Sequence, residues 1–392
     1  MNHFTISAMN RLDRHHFAEY VAPGHPDRLA DAIAETIIHH YASNSRRLVG
    51  VEVATHDDKV FVDGRVTVPL PFDLQRETEA IQAIVRKSYG YAGYGETWGP
   101  GPEDLEIIVA ACIEPMQEGE EEIRSYSDDQ NVAIGYAEPS PATNDLPPAH
   151  WLANRIGRAV LGFRNERPED FGPDFKVLPA LRISETSRSA RTAEWERLTL
   201  SLQHRRGLDY ELQYNLLFPF LSDLMNQLEQ EADLKGLGSS FSIEKLHLNG
   251  AGDFRRGGPE GDNGLSGKKL VVDHYGPDVP IGGGALCGKD AHKVDRVGPL
   301  RARQLAKRLC RNHDQPVTVR LSWSPGDEVP FHVEATRRES DGRVIEVPAN
   351  HLPPRDWFAI DTIYADLKLG KINWPEIALN GYFQDPDLPW ER

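Results

Sequence analysis

Three short stretches of this chain carry residue types suited to a polyanionic ligand. The first is Gly24-His25-Pro26-Asp27-Arg28, which opens a helical pattern. A helix N-terminus offers unpaired N–H groups and the positive end of the helix dipole, both of which favour phosphate. A His there can donate to a developing oxyanion, and an Asp can hold a metal that bridges phosphates. A plain Gly-Pro turn with an ordinary first-turn Asp is the competing reading.

The second stretch runs Gly257-Gly258-Pro259-Glu260-Gly261-Asp262-Asn263-Gly264-Leu265-Ser266-Gly267-Lys268-Lys269. Glycines let the backbone approach a ligand closely, and two lysines follow. Lys269 stands where a Walker A loop needs Ser or Thr, so that motif is excluded. A glycine-rich surface loop is the alternative. The third stretch is Gly282-Gly283-Gly284-Ala285, then Gly288-Lys289-Asp290 and Lys293-Val294-Asp295-Arg296. Lys supplies point charges and Asp supplies hard oxygen ligands, the makings of a triphosphate and Mg²⁺ cradle. Its end could equally be a solvated helix start capped by Asp295. Pro173-Asp174-Phe175-Lys176 is a weaker signal of the same kind.

Other chemistries find no footing. The 15 His show no HExxH or related ligand spacing, which argues against zinc. There is no GxSxG, no Cys in a nucleophile motif and no dinucleotide-binding fingerprint after a strand. Cys112, Cys287 and Cys310 are odd in number and far apart, so three reduced thiols are expected. A net charge of −16 argues against a general nucleic-acid binder. Residues 1–14 hold no apolar leader segment, and no apolar run approaches the roughly 18 residues of a membrane span. The expectation is a cytoplasmic protein that contacts neither membrane nor nucleic acid.

The elements that would position these residues can be read from periodicity. A chain of 392 residues suggests two or three domains. Residues 1–16 read as a polar, loose N-terminus. Leu29, Ile33 and Ile37 recur at helical spacing after Pro26. Val49, Val51 and Val53 alternate as a strand, and Asp57-Asp58 is a turn into a second strand near Val60. Residues 105–113 read as one buried strand, and residues 115–130 as an acidic mobile loop. Helices are expected from Trp151 to Val160, over Tyr210 to Ala232 with a break at Pro219, and around Leu305 and Leu309. Leu198 to Leu202, Val317 to Trp323 and Phe331 to Ala335 alternate as strands. Interspersed strands and helices give an α+β class with α/β-type layers.

Taken together, these segments resemble the S-adenosylmethionine synthetase (methionine adenosyltransferase) family in order and spacing. GHPDR at 24–28 is similar to the family's GHPDK, DQNVAIGYA at 129–137 to its DQGLMFGYA, and PDFK at 173–176 to its PDAK. GGPEGDNGLSGKKLVVDHYG at 257–276 and GGGALCGKDAHKVDR at 282–296 resemble its two long signatures, and the closing PWER its PWEK. The resemblance implies three similar domains around a pseudo-threefold axis, here bounded at 1–126, 127–248 and 249–392. It implies a homodimer with active sites at the interface, which can pair into a tetramer. The implied substrates are ATP and L-methionine. The methionine sulfur displaces tripolyphosphate from C5′, and the tripolyphosphate is then hydrolysed to pyrophosphate and phosphate. Implied cofactors are Mg²⁺, as a pair of ions, and K⁺.

Carried over by resemblance, His25 would stabilise the departing oxygen, while Asp27 and Asp295 would hold Mg²⁺ and Glu52 K⁺. Lys176, Lys268, Lys289 and Lys293 would grip phosphates, with Lys293 also near methionine. Asp174, Phe254, Asp262, Lys269 and Ala285 match further ATP-contact positions. Gln117 and Asp262 would meet methionine. The family's Glu that meets the methionine ammonium is Arg65 here, so Arg65→Glu should tighten methionine binding on this reasoning. Arg28, Lys268, Asn131 and Asp253 also depart from the family pattern. The departures leave two alternatives: a paralogue that alkylates another thioether or chiefly hydrolyses triphosphate, and a weakly active nucleotide-binding subunit that regulates a true synthetase.

Overall fold

The structure is a computed structural model and describes residues 12–186 and 190–392. Three sheets carry the fold. The first contains β1 (Leu12–Phe17), β2 (Tyr20–Val21), β8 (Phe171–Thr186), β9 (Ala190–His204), β10 (Leu234–Lys235) and β11 (Leu246–Leu248). The second contains β3 (Val49–His56), β4 (Lys59–Thr67), β5 (Glu106–Val109), β6 (Cys112–Glu114) and β12 (Gly264–Leu265). The third runs β15 (Val344–Glu346), β14 (His332–Arg338), β13 (Val317–Trp323) and β7 (Asn131–Ala137). The helices are α1 (Pro26–Ala42), α2 (Leu74–Ala92), α3 (Pro148–Asn165), α4 (Tyr210–Ala232), α5 (Leu270–Asp273), α6 (Val294–His313), α7 (Ile360–Asp366) and α8 (Trp374–Asn380). Each sheet draws strands from distant parts of the chain, across the boundaries at 126/127 and 248/249 proposed for its domains.

Helix α1 lies against β3, and the site depends on that packing. Leu29, Ile33 and Ile37 are fully buried, as their spacing requires. Yet Asp27, Arg28, Asp31 and Glu35 on the same helix are also buried. Such charges persist in a core only when paired. Arg28 bonds Asp31 and Asp273, and Glu35 bonds Arg296 and Tyr382. Asp273, Arg296 and Tyr382 lie more than 200 residues onward, so the C-terminal third is latched onto α1. On β3 buried and outward positions alternate, and Asp57 turns the β3–β4 hairpin at φ 49°. An Asp tolerates that left-handed turn position better than most side chains.

The structure departs from the periodicity reading at several points. Leu12–Phe17 is a strand paired with β8, where a loose segment was expected; the rest of that expectation, residues 1–11, lies outside the described residues. The run 105–113 is two short strands, β5 and β6, which pair in sequence with β4 and are only partly buried. Its apolar composition hid the break at Ala110 and Ala111. Lys293, not Asp295, is the N-cap residue of α6, and Asp295 sits in its first turn. Helix α2 and strand β8 were missed altogether. Tyr210–Ala232 forms one helix that contains Pro219.

Candidate functional site

Three charge clusters lie at the N-terminus of α1, at the start of α6 and on the second sheet. The first centres on His25, the N-cap of α1, with Pro26 at the first helical position. His25 is only 3% exposed, and its Nδ1 accepts the Asp27 N–H at 3.2 Å. Burial, reinforced by the charge of Lys176, lowers its pKa to about 3. A neutral imidazole accepting at Nδ1 must carry its proton on Nε2, so His25 is a standing neutral donor.

Asp27 lies in the first turn of the same helix. Its Oδ1 accepts the Leu265 N–H at 3.0 Å and lies 3.6 Å from the Lys268 ammonium; its Oδ2 lies 2.6 Å from that of Lys269. Burial would raise the carboxyl, but the Lys269 and Leu265 hydrogen bonds prevail and hold its pKa below the usual value. Gly264 lets this happen: a Cβ there would stand 2.3 Å from the Pro26 backbone. Asp174 is buried on β8 and accepts the Gly258 N–H at 2.8 Å. Burial pushes its pKa up to about 6 despite that bond. Lys176 follows on the exposed side of the strand. Phe254 is half-buried, exchanges bonds with His204 and lies against Gly257, while Asp262 is exposed.

The second cluster is at the start of α6. Asp295 Oδ2 lies 2.6 Å from the Lys289 ammonium, and its Oδ1 accepts from Asn131 Nδ2 at 2.5 Å. Gly284 packs its bare Cα against Asp295. Lys293 Nζ is bonded to Asp128. Ala285 touches Gly267 and so joins the two signatures. Asp31 joins them too: its Oδ1 accepts from Gly267 N at 2.8 Å and from Cys287 Sγ at 3.0 Å. Burial, opposed by Arg28, raises its pKa to about 6.

The third cluster is on the second sheet. Arg65 donates to Glu114 and, through Nη2, to both oxygens of Glu120 at 2.9 Å. Gln117 belongs to it: its backbone N–H donates to Glu120 at 2.7 Å and its side chain to Glu114 at 3.1 Å. Glu52 stands on the outward face of β3, opposite Asp63. The backbone links the clusters: Gly50 forms a bridge with Lys289 and pairs in register with Arg65.

Every residue singled out from sequence therefore lies in or beside one of these clusters, with Glu52 two residues along the strand from Gly50. Asp31, Asp128, Glu114 and Glu120 were not singled out. Asp31 lies one helical turn beyond Asp27, a spacing that marks the same helix face. The others lie in acidic or loop sequence with no periodic signal.

Residues 13–110 match the S-adenosylmethionine synthetase N-terminal domain, and residues 256–392 match its C-terminal domain. The chain is 30% identical to the S-adenosylmethionine synthase of Methylorubrum extorquens, with 98% of this chain and 97% of that protein covered. It is 29% identical to the S-adenosylmethionine synthase of Zymomonas mobilis, covering 96% and 95%. Among solved structures, an unusual S-adenosylmethionine synthetase from Campylobacter jejuni shares the fold at a TM-score of 0.78 and 22% identity, with 97% of each chain covered. With both end domains matched and near-complete coverage of its relatives, the chain belongs to the S-adenosylmethionine synthetase family, as a divergent member.

Proposed function

We propose that this protein transfers the adenosyl group of ATP to the sulfur of L-methionine, releases tripolyphosphate from C5′ and hydrolyses it to pyrophosphate and phosphate. The observation that carries this reading is His25, a buried neutral donor beside Asp27 and a set of lysines. The reaction needs no protein nucleophile. The sulfur lone pair forms the C5′–S bond as the C5′–O bond breaks, and the bonding electrons leave with the tripolyphosphate. Positioning and electrostatic stabilisation of that leaving group supply the rate.

In this reading the His25 Nε2–H donates to the departing oxygen. Lys176, Lys268, Lys269, Lys289 and Lys293 neutralise the phosphates, and Phe254, Asp262, Asp174 and Ala285 line the nucleotide. Gln117 and Lys293 face the amino acid. Asp27 and Asp295 suit Mg²⁺ as single hard-oxygen ligands. Among the described residues no three His, Cys, Asp or Glu side chains gather as a metal cluster. A Mg²⁺ ion at either Asp would take its other oxygens from phosphate and water, its usual habit. When bound, Mg²⁺ neutralises charge developing on the triphosphate. Glu52, opposite Asp63, offers carboxylate oxygen for K⁺. Phe61, Ile108 and Leu265 are each more than 40% exposed on strands of the second sheet. That apolar content supports a homodimer through this sheet, with a tetramer as its further pairing.

The test is a product assay by mass spectrometry with ATP, Mg²⁺, K⁺ and methionine, and a control without methionine. Adenosylmethionine with pyrophosphate and phosphate is the expected outcome. Phosphate release without adenosylmethionine would instead establish a triphosphate-hydrolysing paralogue. An inert protein that gains activity only with a second chain would establish a regulatory subunit.

A further inference from the structure

We infer that Glu114 and Glu120 receive the ammonium of the amino-acid substrate and that Arg65 is the positioning residue that holds them. This rests on the proposed reaction with an amino-acid thioether. The geometry begins at Gly50. Arg65 is its register partner across the β3–β4 ladder, so both residues face the same side of the sheet. Lys293 Cε lies 3.5 Å from where a Gly50 Cβ would stand. The Arg65 cluster therefore lies one strand spacing from the stem of the lysine assigned to the junction of phosphate and amino acid, whose ammonium is held by Asp128.

The charges then decide what the cluster can take. One guanidinium and two carboxylates leave a net charge of −1. Arg65 and Gln117 each bond both carboxylates. A pair of carboxylates accepts about eight hydrogen bonds, so acceptor capacity remains. The Glu114 side chain is 36% exposed and that of Glu120 19%, which leaves them reachable. An ammonium brings one positive charge and three donors, and it balances the cluster. A substrate carboxylate would meet the surplus negative charge. Arg65 thus does not invert the polarity of the pocket, because its own charge is already spent on two acids.

The test uses Glu114→Gln, Glu120→Gln and Arg65→Glu in the full-length protein. KM is measured for methionine, for its 2-hydroxy analogue and for ATP, with thermal melts to confirm folding. Losing a charge-assisted bond predicts about a tenfold rise in methionine KM for either Gln variant. ATP KM should stay within about twofold, and the preference for methionine over the hydroxy analogue should collapse. Arg65→Glu, which gathers three carboxylates, should weaken methionine binding rather than tighten it. Equal losses with methionine and its hydroxy analogue, unchanged methionine KM, or tighter binding in Arg65→Glu would each overturn the inference. A wild-type protein that makes no adenosylmethionine would overturn the underlying reaction as well, and the two failures are therefore told apart.

Discussion

Lowering the pH discriminates sharply between His25 as a neutral donor and His25 as an ordinary imidazole. At pH 5.5 a histidine with the usual pKa of 6.5 is neutral in only about 9% of molecules. With its pKa lowered to about 3, His25 remains neutral in more than about 99%. The Nε2–H donor and the Nδ1 acceptor that receives the Asp27 N–H then both survive. The direct assay is NMR of protein labelled at histidine, comparing wild type with His25→Gln. The resonance missing from the variant should not titrate between pH 8 and 5. A midpoint near 6.5 for that resonance would refute the argument.

The same shift predicts a stability signature. The unfolded chain takes up a proton near pH 6.5, whereas folded His25 resists it down to about pH 3. The contribution of this residue is thus present above pH 6.5 and is lost as pH falls toward 3. The loss is about 1.4 kcal/mol per pH unit in that window. Urea unfolding at pH 7.5 and 5.5 should show wild type losing about 1.4 kcal/mol more than His25→Gln. The subtraction matters because buried His150 and His292, each with its pKa lowered to about 4 by desolvation, lose stability over the same range in both proteins. Catalytically, removing one donor aimed at a developing oxyanion should lower kcat by about 10²–10³-fold, with ATP still bound.

Two further perturbations probe the scaffold and the metal. Asp295→Asn removes a charge from the Lys289 pair and should raise the Mg²⁺ concentration for half-maximal activity by about tenfold, read from a Mg²⁺ titration at fixed ATP. Gly264→Ala places a methyl 2.3 Å from the Pro26 carbonyl carbon and should cost about 1–3 kcal/mol in urea unfolding, whereas Gly283→Ala, with nothing within 4 Å, should cost less than about 0.5 kcal/mol.

Much of the fold was legible because its signals are local. Helix α1 announced itself through Leu29, Ile33 and Ile37, and the β3–β4 hairpin through alternating valines about an Asp-Asp turn. Strand β8 was missed because Pro173 and Pro179 and interleaved charges break its alternation; long pairing with β9 overrides that weak propensity. Helix α2 was missed among charged residues, although Asp73 caps it through Gln75 N and Arg76 N. The site residues were legible wherever glycine and lysine cluster in a specific order. Asp128, Glu114 and Glu120 were not, because their role depends on a partner 49 residues away or more. No window along the chain contains Lys293 together with Asp128, which are 165 residues apart.

The pairing of acids with lysines limits what the site can bind. The acids proposed for Mg²⁺ are bonded to lysines proposed for phosphate: Asp27 to Lys269 and Asp295 to Lys289. Asp128 is likewise bonded to Lys293. A bare polyanion would attract the lysines but leave each partner acid facing its negative charge. A bare divalent cation would attract the acids but leave each lysine facing its positive charge. A metal–triphosphate complex carries both charges and can exchange each internal pair for a matched external one. Burying those charges without such an exchange would cost several kcal/mol per ion. The interleaving of Lys and Asp within the 15 residues of the third stretch thereby suits the proposed Mg²⁺–triphosphate complex better than either ion alone.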